Sequence, residues 1–171
     1  MIDRISSFEL PRQIITEHFK LPLPISGGWG YTKDDVVIIV KPKIDPIVNK
    51  SMPFDGIGIE YVFVEKRIYE ELIIFRPEGE RFSDISWKLL RQELIERESD
   101  DRVYDKLTFE ITALPNNDFE ELKAEGKGPE GFKNPSFDIE AHEKKREERT
   151  LRYVREYWFD ITSFYGQGIS C

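Results

Sequence analysis

Cysteine and long apolar runs are both scarce in this chain, and each shortage excludes a class of protein. The one cysteine is Cys171, so neither an intrachain disulfide nor a paired-cysteine metal site is available. The longest strongly apolar run covers residues 36–40, whereas a membrane-spanning helix needs about 18 apolar residues. Residues 1–10 contain no apolar core of the kind that a secretory signal has. We therefore expect a cytoplasmic protein without a membrane anchor.

Basic side chains are outnumbered by acidic ones. The chain has 25 Lys and Arg against 33 Asp and Glu, a formal net charge of −8. Such a balance gives no general attraction to phosphate backbones or anionic lipid surfaces, so we expect neither a nucleic acid nor a membrane as partner. With 39% hydrophobic and 13% aromatic residues, the 171 residues suffice for a packed core, and we predict one domain over residues 1–171.

Four segments are predicted to be helical. Pro11 is suited to a first helical turn, and Ile14, Ile15 and Phe19 then share one face. Strong helix formers and an apolar stripe predict a helix over residues 83–98, capped by Ser83. Two shorter helices are predicted at residues 119–124 and 138–150, the first inside an otherwise irregular region of residues 115–136.

The remaining apolar patterns predict strands. Residues 35–41 are β-branched, residues 57–64 alternate with a period of two, and residues 66–75 fit either a helix or a hairpin partner, which we favour. Residues 106–113 and 151–164 complete the set. Because the connections are short, we predict an α+β fold with a mainly antiparallel sheet of about five strands and two to four helices mostly on one face. The chain is expected to fray over residues 166–171.

Catalytic and metal-binding patterns are few. His18 lies beside the apolar face of the first helix, and His142 is spaced for charge pairs with Asp138 and Arg146. No HExxH, GxSxG, phosphate-loop or dinucleotide motif occurs, so we predict no metal, no cofactor and no catalytic set. An alternative interpretation is a small-molecule-binding protein or enzyme. Its pocket would lie between the loop that contains Gly27 and Gly30 and residues 115–135, with His18 as acid or base.

Most of the excess negative charge lies in the middle third of the chain. Residues 61–120 carry nine basic and fifteen acidic side chains, a net charge of −6. We therefore expect a non-enzymatic protein-binding domain whose acidic face engages a basic protein surface. In composition alone the chain is similar to the immunity proteins that neutralise bacterial toxins, and no motif assigns it to a family. The predicted partner-binding residues are Trp29, Tyr31, Glu70, Glu71, Glu93, Glu96, Asp100, Asp101 and Phe132.

Overall fold

A five-stranded mixed sheet forms the centre of the protein. The computed structural model describes residues 11–41, 55–97, 100–126 and 137–165. The strand order is β1-β2-β5-β4-β3, and every pair is antiparallel except β2 with β5. The strands are β1 (Ile25–Gly27), β2 (Val37–Ile39), β3 (Phe82–Arg97), β4 (Arg102–Pro115) and β5 (Leu151–Asp160).

Four α-helices accompany the sheet in the described part of the chain: α1 (Pro11–Phe19), α2 (Gly56–Tyr69), α3 (Asn116–Glu125) and α4 (Ile139–Arg149). Asp55 caps α2 by accepting a hydrogen bond from the Gly58 N–H at 3.0 Å. The helix continues into a π-helical turn over Glu70–Ile74, in which the Phe75 N–H donates to the Glu70 carbonyl at 2.9 Å. No helix within the described ranges is long and apolar enough to cross a bilayer.

The predicted α+β class and the mainly antiparallel sheet are confirmed. The helices at α1, α3 and α4 and the strands at β2, β4 and β5 lie where the sequence placed them. Residues 127–136 and 166–171, part of the predicted irregular loop and the predicted frayed end, lie outside the described residues.

Two predicted elements have the opposite conformation. Residues 57–64 and 66–75, expected as a hairpin, form α2 and its π turn. Of residues 83–98, expected as a helix, those up to Arg97 belong to β3. In α2 the buried positions include Glu60, Val64 and Ile68, which recur at the spacing of a helix. In β3, Trp87 and Leu89 pack against the core while Leu90 is 48% exposed, which is the alternation of a half-buried strand.

The main core lies between α2 and one face of β4 and β5. Alternate residues of both strands, including Leu107, Phe109, Tyr157 and Phe159, point to this face and are almost fully buried. Phe63 of α2 packs edge-on against Phe159, with ring centroids 5.6 Å apart. The intervening residues of β5, such as Val154, lie on the opposite and more polar face.

The glycine-rich loop is a tight turn that places its aromatic side chains in the core. Gly27 has φ +86°, and a Cβ there would lie 2.5 Å from the Val36 carbonyl oxygen. The Trp158 N–H donates to the Gly30 carbonyl at 2.6 Å, which fixes the loop against β5.

Replacing Gly27 with alanine is expected to destabilise the fold by about 1–3 kcal/mol, because the backbone strain and the clash add. Gly79 is the matched control, since a Cβ there meets nothing within 4 Å. Urea unfolding of both variants measures the difference, and equal stabilities would contradict the assigned role of Gly27.

Candidate functional site

Four of the predicted partner-binding residues are buried. Trp29 and Tyr31 retain 7% and 3% of their surface, and Glu70 and Glu71 retain none. These side chains therefore lie in the interior and do not face a partner in this conformation. The turn of the glycine-rich loop accounts for the burial of Trp29 and Tyr31, because it directs their rings toward α2 and β5.

The other predicted partner-binding residues have different surroundings. Glu93 is partly exposed and forms ion pairs with Arg91 at 3.2 Å and Lys106 at 3.3 Å. Glu96, Asp100 and Asp101 are exposed near the end of the β3–β4 hairpin. Phe132 lies outside the described residues. The acidic surface in the described chain is therefore smaller than the sequence predicted.

The two histidines lie on different helices, His18 on α1 and His142 on α4, and each has its own contacts. His18 is exposed, its Nδ1 lies 3.1 Å from the Ile14 carbonyl oxygen, and its ring packs edge-on against Phe75. His142 Nδ1 lies 2.7 Å from Glu125 Oε2. No set of three potential metal-ligating side chains occurs in the described segments.

A cavity of about 270 Å³ lies beside the glycine-rich loop. It is lined by Pro11, Arg12 and Gln13 of α1 and by Ile25, Ser26 and Gly27 of β1. His18 does not line this cavity. The second loop of the alternative interpretation, residues 115–135, is described only up to residue 126.

Arg67 and Glu70 form an ion pair inside the protein. Arg67 Nη1 donates to Glu70 Oε2 at 3.2 Å, and neither side chain is exposed. The guanidinium also lies 4.1 Å from the centroid of the Trp29 ring, a cation–π contact. Arg67 Nε and Nη2 and Glu70 Oε1 have no hydrogen-bond partner among the described residues. Burial raises the pKa of Glu70 to about 7 although Arg67 and His18 oppose this rise.

A second buried ion pair joins the π turn to β5. Arg155 Nη2 donates to Glu71 Oε1, and its guanidinium lies 5.4 Å and 5.3 Å from the rings of Tyr31 and Tyr153. Burial raises the pKa of Glu71 to about 7, and the charge of Arg155 limits that rise. Consecutive residues of the π turn are thus both paired in the interior, one with α2 and one with the sheet.

A pair of buried carboxyl groups lies near the first half of α2. Glu60 is 1% exposed and Asp105 of β4 is 3% exposed. Gln92 Nε2 donates to Asp105 Oδ2 at 2.8 Å, and the Glu60 and Asp105 carboxyl groups lie close enough to interact with each other. Burial, and next the charge of Asp105, raise the pKa of Glu60 to about 9. Glu60 is therefore protonated in the folded protein at neutral pH.

Large apolar side chains are exposed on the same side of the sheet as α2. We call Ile57, Tyr61, Leu94 and Tyr165 the α2–β3 patch; their exposed fractions are 50%, 39%, 52% and 42%. The Tyr165 hydroxyl donates to Glu96 Oε1 at 2.9 Å, two residues beyond Leu94 in β3.

The contacts of α2 and β3 indicate where three members of the patch lie. A Cβ at Gly56 would lie 2.4 Å from Phe164 Cζ, so the residue before Tyr165 contacts the start of α2. The Tyr61 ring packs edge-on against Phe109 of β4, with centroids 6.3 Å apart. Leu94 is the register partner of Asp105, which lies near Glu60 of α2.

The segments that carry this patch contain exposed acidic residues. Residues 55–65 and 92–96 contain no Lys or Arg, and the exposed Asp55, Glu96, Asp100 and Asp101 lie in or beside these segments. Arg102 is nearby, but it pairs with Asp160 at 3.3 Å. The segments that carry the patch are therefore acidic, with Lys66 and Arg91 directly outside them.

No protein-family model, curated protein or solved structure matches this chain. The sequence interpretation missed Ile57, Tyr61, Leu94 and Tyr165, because it placed Tyr61 on a strand and Leu94 on the buried stripe of a helix. Asp55, directly before Gly56, was a signal for a helix start that could have revealed α2, because aspartate commonly caps helices.

Proposed function

We propose that this protein is a protein-binding domain whose α2–β3 patch engages a basic surface of a partner protein. The supporting observation is the exposure of four large apolar side chains on α2, β3 and the segment after β5, in segments that also carry exposed acidic residues. Exposed apolar groups of this size, surrounded by charged residues, are typical of protein interaction sites. In the inferred interaction Tyr61, Leu94 and Tyr165 are the anchors, replacing Trp29 and Tyr31 of the sequence prediction.

The charge at the edge favours a basic partner over an acidic one. Asp55, Glu96, Asp100 and Asp101 are exposed, so their attraction for a partner is screened by salt. Such charges mainly raise the association rate and discriminate between partners, whereas the apolar contacts retain the complex. An acidic or strongly phosphorylated partner does not fit this arrangement.

Leu94→Arg is expected to weaken partner capture by about tenfold or more, because it places a charge at the apolar centre and opposes a basic partner. Val154→Arg is the matched control, since Val154 is 55% exposed on the opposite face of the sheet. The immobilised wild type and both variants are incubated with an extract of the source cells, and the bound proteins are quantified at low and high salt.

The proposal requires a basic protein that binds the wild type and Val154→Arg, is lost with Leu94→Arg, and is released as salt rises. Equal capture by the two arginine variants would exclude the α2–β3 patch as the binding site. Capture that is unchanged by salt would exclude the electrostatic part of the proposal.

A further inference from the structure

The helix α4 lies on the protein without contributing to its core. No residue of α4 is buried, and none packs against the hydrophobic core of the described chain. Its apolar side chains are Ile139, which is 49% exposed, and Ala141. A helix of 11 residues is only marginally stable in water by itself, and most helices gain their stability from packing an apolar face. The polar contacts of α4 with its neighbours must therefore supply much of its stability.

The side of α4 that faces α3 is basic. His142, Lys145 and Arg149 follow one another at intervals of three and four residues, which places them on one face of the helix. We call these three residues the basic stripe. They are partly shielded from solvent, whereas Lys144 and Glu148 on other sides of α4 are exposed.

The helix α3 carries an acidic stripe with the same spacing. It consists of Asp118, Glu121 and Glu125. In contrast to α4, α3 is anchored in the interior by Leu122, which is 1% exposed. The acidic stripe therefore belongs to the packed part of the protein.

The basic stripe pairs with the acidic stripe. Lys145 lies 2.7 Å from Glu121 and 2.5 Å from Glu125. Arg149 lies 3.1 Å from Asp118 and also pairs with Glu121. The end of α4 thus meets the start of α3, so the two helices run in opposite directions with their charges in register.

Two further contacts of α4 are also between charged or polar groups. His142 Nδ1 lies 2.7 Å from Glu125 Oε2, and Arg146 pairs with Asp84 of β3. The side chains in all these pairs retain between 11% and 51% of their exposure. Ion pairs with such exposure each contribute little to stability, and salt screens them.

We propose that α4 is a detachable helix, docked on α3 through the basic and acidic stripes, which leaves α3 and unwinds when salt screens their ion pairs. The sheet, α1 and α2 stay folded, because buried apolar side chains hold them together. Release uncovers the acidic stripe, so the docking of α4 controls access to this surface. No residue of either stripe belongs to the α2–β3 patch, and the inference does not rest on the proposed function.

Hydrogen–deuterium exchange of the full chain, measured by mass spectrometry at constant pH, tests the inference. The protection of α4 amides is expected to fall by about tenfold between about 20 mM and about 500 mM sodium chloride. The α1 amides are the internal reference, since Ile14 and Ile15 are 1% and 0% exposed and anchor that helix in the core. Their protection is expected to change by less than about twofold.

Two charge reversals on α4 distinguish the basic stripe from the net charge of the helix. Lys145→Glu opposes the acidic stripe and is expected to lower α4 protection by about tenfold at low salt. Lys144→Glu is the matched control with a much smaller expected effect, because Lys144 is 79% exposed and its partner Glu148 lies on α4 itself. The double variant Lys145→Glu/Glu125→Lys restores a pair of opposite charges and is expected to recover part of the lost protection.

Three results would overturn the inference. One is α4 protection that is the same at low and at high salt. Another is an equal loss of protection in α1 and α4, which indicates global unfolding without local release. The third is an equal effect of Lys144→Glu and Lys145→Glu at low salt, because the position of the charge would then be irrelevant to docking.

Discussion

Replacing Arg67 with methionine is expected to destabilise the protein by about 3–5 kcal/mol, among the largest effects of any single substitution in the described chain. The guanidinium is fully buried, donates to Glu70 and lies over the Trp29 ring. Methionine fills a similar volume but leaves the Glu70 carboxyl in the core without its cation. Urea unfolding monitored by tryptophan fluorescence and circular dichroism measures the loss.

The double variant Arg67→Met/Glu70→Leu separates the charge from the packing. Removing both members of a buried pair is often neutral or stabilising, so we expect the double variant to recover most of the lost stability. Lys144→Ala is the surface control: the pair of Lys144 with Glu148 is 4.0 Å apart, with side chains 79% and 65% exposed. Its loss is expected to cost about 0.5 kcal/mol or less. A cost below about 1 kcal/mol for Arg67→Met would contradict the assigned role of the buried pair.

Glu60→Gln is expected to stabilise the protein at alkaline pH and to have little effect near pH 5. The folded state retains the Glu60 proton up to about pH 9, whereas the unfolded chain releases it near 4.5. Between these values unfolding releases a proton, so the stability that Glu60 contributes is full at low pH and is lost as pH rises. The difference between variant and wild type is therefore expected to grow by about 1.4 kcal/mol per pH unit across this window.

Differential scanning fluorimetry from about pH 5 to about pH 9 provides the comparison, with the melting temperature of each protein measured in the same buffers. Glu78→Gln is the control, since Glu78 is exposed in the short turn over Glu78–Glu80. The melting temperature of Glu78→Gln should differ from that of the wild type by the same amount at every pH. If the melting temperatures of Glu60→Gln and the wild type changed with pH in the same way, Glu60 would ionise alike in the folded and unfolded states, which contradicts the prediction.

The class of the fold was predictable because most elements have local signals. Pro11 and the apolar spacing that follows it specify α1, and the alternation of residues 106–113 specifies β4. α2 was read as a strand because Ile57, Ile59, Tyr61 and Phe63 alternate. In the structure these residues do not share one environment, since Phe63 is buried and Ile57 and Tyr61 are exposed.

β3 shows how pairing overrides local propensity. Its residues are strong helix formers, but β4 pairs with it from Phe82↔Pro115 to Arg97↔Arg102. The turn between β3 and β4 contains a sequence signal for a hairpin, which the helix propensity of the β3 residues does not reveal. Asp101 has φ +53°, and Asp100 Oδ1 accepts from the Arg102 N–H at 3.0 Å, as aspartates in turns commonly do.

The candidate site was less predictable than the fold, for a physical reason. Glu71 is an ordinary acidic residue in the sequence, and the arginine that pairs with it, Arg155, lies 84 positions further along the chain. Its burial follows from the packing of α2 against β5, which no local pattern encodes. The same holds for the patch, because its members lie on α2, on β3 and after β5, which are far apart in the sequence.

Site-specific photocrosslinking in the source cells tests the proposed interaction most directly. A photoreactive amino acid is placed at Leu94 in one variant and at Val154 in another, and the crosslinked proteins are identified by mass spectrometry. We predict that the Leu94 variant forms an adduct with a basic protein, that the adduct decreases when Asp100 and Asp101 are changed to Lys, and that the Val154 variant forms none. Adducts of equal yield at both positions, or an adduct at Leu94 that is unaffected by the charge reversal, would contradict a basic partner bound at the α2–β3 patch.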